Sequence, residues 1–211
     1  MTKVLILGAS GQIARHVISN LANDDRIDMT LFVRNARRLA NRPAGASVVQ
    51  GDVLDRAVLD EAMAGQDLVY ANLTGDDLDD QARRVIASMQ AAGVKRLIFV
   101  LSLGIYDEVP GAFGQWNRQT IGAELKPFRR AGDAIETSGL DYTILRPAWL
   151  TDEDEIDYET TAKGEAFKGT VVSRKSVADL IAKIIRSPSL HLHGNVGVDK
   201  PGTDGDRPHF M

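Results

Sequence analysis

Short apolar runs alternate along the chain with longer stretches in which apolar residues recur every three or four positions. The first run covers residues 4–7, and the pattern predicts further strands at 29–33, 47–50, 68–73, 96–102 and 142–145. The stretches between them have helical spacing, as at Ile13, Val17 and Leu21. Strands that are apolar on both faces and separated by helices are typical of a parallel sheet covered on both sides. The chain therefore predicts an α/β fold.

The second half of the chain is less regular. Residues 104–119 contain Pro110 and three glycines, and they predict a long connection after the fifth strand. Residues 151–159 hold six acidic side chains, which favours a hydrated surface loop over an acid-lined lid. Short strands are expected at 171–172 and 195–198, with a helix between them that Ser173 or Ser176 caps. We interpret residues 1–211 as a single domain.

Composition narrows the classes of partner. Twenty-five basic and 29 acidic residues leave no basic footprint, which argues against nucleic acid or an anionic membrane as the partner. Cysteine is absent, so disulfides and zinc-thiolate sites are excluded, and no metal site is expected. Because no leader or long apolar run is visible, we expect a cytoplasmic protein.

A glycine-rich turn follows the first strand directly. Gly8 permits a tight turn, and Gly11 allows a bulky anion to approach the backbone. A helix begins near Gln12, so its free amides and positive dipole end would attract a pyrophosphate. The predicted dinucleotide contacts in this segment are Gly8, Ser10, Gly11, Gln12 and Ile13.

The end of the second strand decides which dinucleotide is preferred. Arg34 and Asn35 follow the strand, and Arg37 and Arg38 lie within the next turn, where an NAD-dependent protein usually places an acidic residue. Guanidinium groups suit a 2′-phosphate, so NADP(H) is favoured over NAD(H), with Arg34, Asn35 and Arg38 as its contacts.

Two further segments are assigned by their place after strands. Asp52 could accept a hydrogen bond from the adenine amino group, with Val53 against the ring. Alternatively, Asp52 or Asp55 caps the next helix, and the two interpretations are compatible. Asn72 and Leu73 are expected to line the ribose and nicotinamide half of the cofactor.

These segments together resemble a known family. The glycine turn at 8–14, residues 33–35 and 51–53, the strand that ends in Ser102, and above all the string from Ser138 to Pro147 are similar to the atypical short-chain dehydrogenase/reductases, in the NmrA-like, NAD(P)H-binding branch. The resemblance implies a Rossmann-type doubly wound parallel sheet with strand order 3-2-1-4-5-6 and a seventh strand. It also implies that Pro147 lies at the cofactor and that substrate binds between loops 103–120 and 148–170.

The catalytic residues of the larger family are missing. Active members use a Tyr-x-x-x-Lys pair, and those two places fall here on Leu125 and Arg129. Arg129 could still hold the ribose or a phosphate, but its guanidinium does not relay a proton. Ser102 and Tyr106 remain as candidate catalytic residues.

Two functions from different classes follow. The first is an NADPH-dependent oxidoreductase that passes hydride directly to a small acceptor, such as a flavin or quinone, which takes its proton from solvent. The second is a regulatory protein without catalysis that senses NADP(H) and binds a protein partner. Phe113 and Trp116 either form a substrate wall or pack the loop on the core. A sugar epimerase or dehydratase ranks below both functions, because each needs an acid/base.

Overall fold

The computed structural model describes residues 1–39 and 42–211. Its strands are β1 Thr2–Leu7, β2 Ile27–Val33, β3 Ser47–Gln50, β4 Leu68–Ala71, β5 Arg96–Val100, β6 Asp141–Pro147, β7 Trp149–Thr151, β8 Glu159–Ala162, β9 Val171–Ser173 and β10 Gly194–Asp199. Its helices are α1 Gln12–Leu21, α2 Arg56–Met63, α3 Leu78–Ala92, α4 Gly111–Ile121, α5 Leu125–Glu136 and α6 Arg174–Arg186, and a 3₁₀ helix covers Ala36–Arg38.

Eight strands form one sheet in the order β3-β2-β1-β4-β5-β6-β10-β8. All neighbours are parallel except β8, which runs antiparallel to β10 at the edge. The Rossmann-type fold and the strand order 3-2-1-4-5-6 are thus confirmed, and β10 takes the seventh place. Leu7 is level with Phe32 on β2 and Ala71 on β4, so these strands end together and the loops after them meet at one edge.

The sheet has an apolar core on each face. Val4 and Ile6 point into the core under α1 and α6, whereas Leu5 and Leu7 point into the core under α2, α3 and α5. All four side chains are fully buried. A strand covered on both faces needs apolar residues at every position, which explains the unbroken apolar run in the sequence.

Helix caps fix where the connecting segments turn. Asp55 caps α2 by accepting from the amides of Ala57 and Val58. Ser173 caps α6, so it is the first of the two predicted serines that does so. Gly93 ends α3 in a left-handed conformation with φ of 73°, where a residue without Cβ is favoured.

The connection predicted at 104–119 is wrong over its second half, where α4 forms. Phe113 and Asn117, one helical turn apart, are both buried, and Trp116 packs against the core beside them. The glycines and Pro110 give this stretch a low intrinsic helix preference, and burial of one face supplies the missing stability. Strands β7 and β8 were also not predicted.

The acidic segment at 151–159 lies on the surface and is held by basic side chains. Arg174 pairs with Asp152 at 2.9 Å, and Lys200 pairs with Glu155 at 2.7 Å. These contacts join the segment to α6 and to the end of β10, which is typical of a solvated surface loop. Over the described parts of the chain, every helix is too short or too polar to cross a membrane.

Candidate functional site

A cavity of about 720 Å³ opens where β1, β2, β3 and β4 end. This volume is within the range of small-molecule and cofactor sites. Its walls come from the loops after these strands and from the start of α3. The lining residues are Gly8, Ser10, Gly11, Phe32, Val33, Arg34, Asn35, Arg38, Gly51, Asp52, Val53, Asn72, Leu73, Thr74, Gly75, Asp77 and Gln81.

The floor of the cavity is the turn between β1 and α1. Gly8 has a φ of +72°, and a Cβ there would collide with the backbone carbonyl of Asn72. A Cβ on Gly11 would collide with the side-chain amide of Asn72. No side chain caps α1, and its first turn carries no acidic residue. The amides at this helix start therefore suit a pyrophosphate group.

One end of the cavity is cationic. Arg34 and Arg38 both line it, and in the described parts of the chain no carboxylate lies within ion-pair distance of either. The turn that carries them is fixed, because Asn35 accepts from the amide of Arg37 at 3.0 Å and Gln50 accepts from the amide of Ala36 at 3.3 Å. Two cations on a fixed turn match a phosphate group.

The wall beside this cationic end is formed by Asp52 and the buried Val53. One carboxylate oxygen of Asp52 accepts from the amide of Leu54 at 2.9 Å, and the other makes no hydrogen bond within the described residues. Asp55, and not Asp52, caps α2. Asp52 therefore keeps one acceptor oxygen for a ligand amino group.

The opposite wall includes residues that the sequence did not single out. Gln81 on α3 donates to the carbonyl of Thr74 at 3.2 Å and to the carboxylate of Asp77 at 2.7 Å, and all three line the cavity next to Asn72. Their only sequence signal is their place in and after the loop that follows β4. These hydrogen bonds fix the loop after β4 to the first turn of α3.

Four of the predicted cofactor residues lie outside the cavity lining. Ile13 is buried under the turn in the core beside α1, and Gln12 is exposed. Pro147 is buried at the end of β6, where its carbonyl accepts from the amide of Leu103 at 3.2 Å. This bond holds the segment after Ser102 against the end of β6. The fourth residue is Arg129.

Arg129 is engaged on α5. Its Nε binds Asp133 at 2.9 Å, and its Nη1 donates to the carbonyl of Ile105 at 3.2 Å. The guanidinium also lies 4.7 Å from the ring centre of Tyr106. These contacts hold the side chain away from the dinucleotide cavity.

Tyr106 also lies outside that cavity. Its hydroxyl accepts from the side-chain amide of Asn195 at 3.0 Å and lies next to Gly132 on α5. Burial, followed by the charge of Glu136, raises the pKa of Tyr106 to about 12. The phenol therefore stays protonated at neutral pH, and it is not among the residues that line the dinucleotide cavity.

A buried ion pair holds the loop that carries Tyr106. Arg146 on β6 is fully buried and pairs with Glu108, whose side chain is 3% exposed. Glu108 also accepts from the amides of Gly104 at 3.0 Å and Tyr106 at 2.9 Å. Arg146 donates in addition to Asn195 at 2.7 Å. One carboxylate thus joins the loop after β5 to strand β6.

Aromatic side chains pack where β6 ends. The rings of Trp116 and Trp149 are 4.9 Å apart, and Phe113 stacks on Trp116 at 6.1 Å. Trp149 donates to the buried side chain of Asn117 at 2.9 Å. Phe113 belongs to the core, whereas both tryptophans remain partly exposed. Phe113 therefore fits the packing interpretation, and the indoles are available at the surface.

The family model described as NAD(P)H-binding matches residues 8–188 of the chain. The matched region contains the glycine turn, the arginine-bearing turn and all the loops of the cavity. The chain belongs to this NAD(P)H-binding family.

Relatives agree with this assignment. A Rossmann-fold NAD(P)-binding family protein from Shigella flexneri is 59% identical, with a TM-score of 0.87 and full coverage of both chains. A short-chain dehydrogenase/reductase from Veillonella parvula, solved in complex with NADP, is 26% identical, with a TM-score of 0.92 and 99% coverage of both chains.

A curated relative has a defined activity. The (4-alkanoyl-5-oxo-2,5-dihydrofuran-3-yl)methyl phosphate reductase of Streptomyces griseus is 33% identical over 144 residues, which is 68% of this chain. The aligned region spans 46% of that reductase. The chain is thus an NAD(P)H-binding, oxidoreductase-like protein with reductases among its relatives.

Proposed function

We propose that the protein is an NADPH-dependent reductase that passes hydride directly to a small acceptor, such as a flavin or quinone, without a Tyr/Lys pair. The observation that carries this proposal is the cationic end of the cavity, where Arg34 and Arg38 lie without a carboxylate partner in the described chain. A 2′-phosphate would take those two guanidinium groups. The NADP complex of the Veillonella relative supports the choice of cofactor.

The cavity residues would hold the cofactor from end to end. Gly8, Gly11 and the start of α1 bind the pyrophosphate, and Asp52 accepts from the adenine amino group. When bound, the reduced cofactor supplies the hydride. Ser102, two residues after the end of β5, positions the acceptor, and solvent supplies the proton because Tyr106 does not line the cavity. An acceptor that is protonated from water needs only proximity and orientation.

The test is thermal unfolding with NADPH, NADP, NADH and NAD in turn, followed by loss of reduced-nicotinamide absorbance with a panel of flavins and quinones. A ligand at 100 times its dissociation constant should stabilise the fold by about 2.7 kcal/mol. We expect NADPH to stabilise most and to be consumed. Arg34→Asp should weaken NADPH binding by about 10- to 100-fold and leave NADH binding nearly unchanged.

Arg37→Asp is the matched control for Arg34→Asp, because Arg37 lies on the same turn but does not line the cavity. Equal losses for NADPH and NADH would remove Arg34 from the 2′-phosphate site. If NADPH stabilises the fold but no acceptor is reduced, the second function is favoured, namely an NADP(H) sensor that binds a protein partner. The engagement of the Tyr106 hydroxyl away from the cavity is the observation that favours this alternative.

Tyr106→Phe should keep the turnover number within about tenfold of the wild type, whereas loss of a general acid costs about 100- to 10,000-fold. The physical reason is that burial raises the pKa of the phenol to about 12 and that Tyr106 does not line the cavity. Steady-state kinetics with the best acceptor would measure this. Tyr142→Phe is the control, because it removes a hydroxyl from another half-buried tyrosine, which lies on β6. If Tyr106→Phe lowered the turnover number by more than about 100-fold while Tyr142→Phe did not, Tyr106 would be a general acid.

A further inference from the structure

A second, smaller cavity lies beside the loop after β5. Its volume is about 260 Å³, it opens to solvent, and it is lined by that loop, the end of α4 and the start of α5. Gly104, in its wall, is two residues after Ser102, so their Cα atoms are at most about 7 Å apart. A molecule held next to Ser102 can therefore extend into this cavity.

The side chains of this cavity are mainly cationic. Arg118 comes from α4, and Lys126 and Arg129 come from α5, while Asp107 is the one carboxylate in the lining. Arg129 is bound to Asp133. Arg118 and Lys126 have no carboxylate within ion-pair distance in the part of the chain that the structure describes. Two cations thus face the cavity without a partner, one of them a guanidinium suited to a planar or tetrahedral oxyanion.

A buried amide without a partner lies behind the same wall. Asn117 is 1% exposed, and its side-chain oxygen accepts from the indole of Trp149 at 2.9 Å. Since an indole nitrogen only donates, this bond fixes which end of the amide is the oxygen. The amide nitrogen therefore lies next to Gly104, which lines the cavity, and it has no hydrogen-bond partner within the described residues. Such a buried donor calls for an acceptor.

We propose that this cavity binds an anionic group of the acceptor, a phosphate or a carboxylate, while the ring that takes the hydride lies beside Ser102. The inference rests on the proposed reductase function, because that function places the acceptor at the end of β5. Arg118 and Lys126 bind the anion by charge, and the Asn117 amide nitrogen lies behind Gly104, where its positive dipole end adds to their attraction. The site selects acceptors in which an acidic substituent is separated from the reacting ring by about the distance between Ser102 and this cavity.

The experiment compares FMN with riboflavin, which share one ring system and differ by a phosphate. Binding of each to the protein saturated with NADP is measured by isothermal titration calorimetry, so that the dinucleotide cavity is already filled. We expect FMN to bind about 10- to 100-fold more tightly than riboflavin. The double variant Arg118→Gln/Lys126→Gln should bind FMN no better than riboflavin, with riboflavin affinity unchanged. Arg207→Gln, an exposed arginine in the C-terminal tail, is the control.

Asn117→Asp is the sharper variant, because it keeps an oxygen for Trp149 and replaces the buried donor by a carboxylate oxygen. This variant should weaken FMN binding by about 10-fold or more and leave riboflavin binding unchanged. Thermal unfolding checks that the variant is folded. If Asn117→Asp does not fold, the double variant of the exposed cations decides alone, since Arg118 and Lys126 are exposed and their loss costs little stability.

Inorganic phosphate provides the arm that does not depend on flavins. Phosphate should compete with FMN for the protein but not with riboflavin. The double variant should no longer bind phosphate. Equal affinities for FMN and riboflavin would overturn the proposal, as would failure of FMN and phosphate alike to bind. If the FMN preference holds but NADPH is not oxidised with any acceptor, the reductase function fails while the anion site stands.

Discussion

Arg146→Met should lower the free energy of unfolding by about 3–5 kcal/mol. The side chain is fully buried and pairs with Glu108, which is 3% exposed. Loss of the guanidinium leaves a carboxylate buried without its cation. It also removes the hydrogen bond that Arg146 donates to the side-chain oxygen of Asn195. A charge stranded in the protein interior costs far more than a lost surface contact.

Urea unfolding of a double-mutant cycle would test this result. Adding Glu108→Gln to Arg146→Met removes the stranded charge and keeps an oxygen for the amide of Gly104 or Tyr106. We therefore expect the double variant to regain more than half of the lost stability. Arg56→Met is the control, since Arg56 pairs with Asp60 at 3.1 Å and both side chains are exposed. Additive losses in the cycle would contradict the coupling of the two buried charges.

Gly11→Val should abolish dinucleotide binding, with a loss in affinity of about 100-fold or more. A side chain at Gly11 would meet the amide of Asn72 and fill the space above the start of α1. Both the loop after β4 and the pyrophosphate position would be disturbed. Calorimetric titration with NADPH would measure the loss, and thermal unfolding without ligand would check the fold.

Gly45→Val is the matched control for Gly11→Val, because an added Cβ at Gly45 meets nothing within 4 Å. It should bind NADPH like the wild type. Adding Asn72→Ala to Gly11→Val separates the two causes, since it relieves the contact with Asn72 but leaves the valine where the pyrophosphate would lie. Recovery of affinity in that variant would assign the defect to Asn72, and retained affinity in folded Gly11→Val itself would refute the site.

The features that the sequence predicted well are local. The glycine turn after β1 and the arginines after β2 each lie within a few residues, and the order of the parallel strands followed from the family resemblance. Gly8 and Arg34 do line one cavity, as their positions after neighbouring strands required. The bounds of β3 were also predicted correctly, because its short run of apolar residues is framed by polar segments.

The features that could not be predicted depend on contacts between distant residues. Arg146 and Glu108 are 38 residues apart, so nothing near either position indicates the buried pair. Helix α4 forms because Phe113 and Asn117 become buried, although the glycines around them are typical of a loop. The position of Tyr106 follows from its bond to Asn195, 89 residues away. In each case tertiary packing overrides the local preference.

The contact between Trp116 and Trp149 has a further consequence. The chain has two tryptophans in all, and their rings are 4.9 Å apart. Its tryptophan emission therefore arises from a single location, next to Asn117. Tryptophan fluorescence of this protein would follow events at the end of β6 without any label.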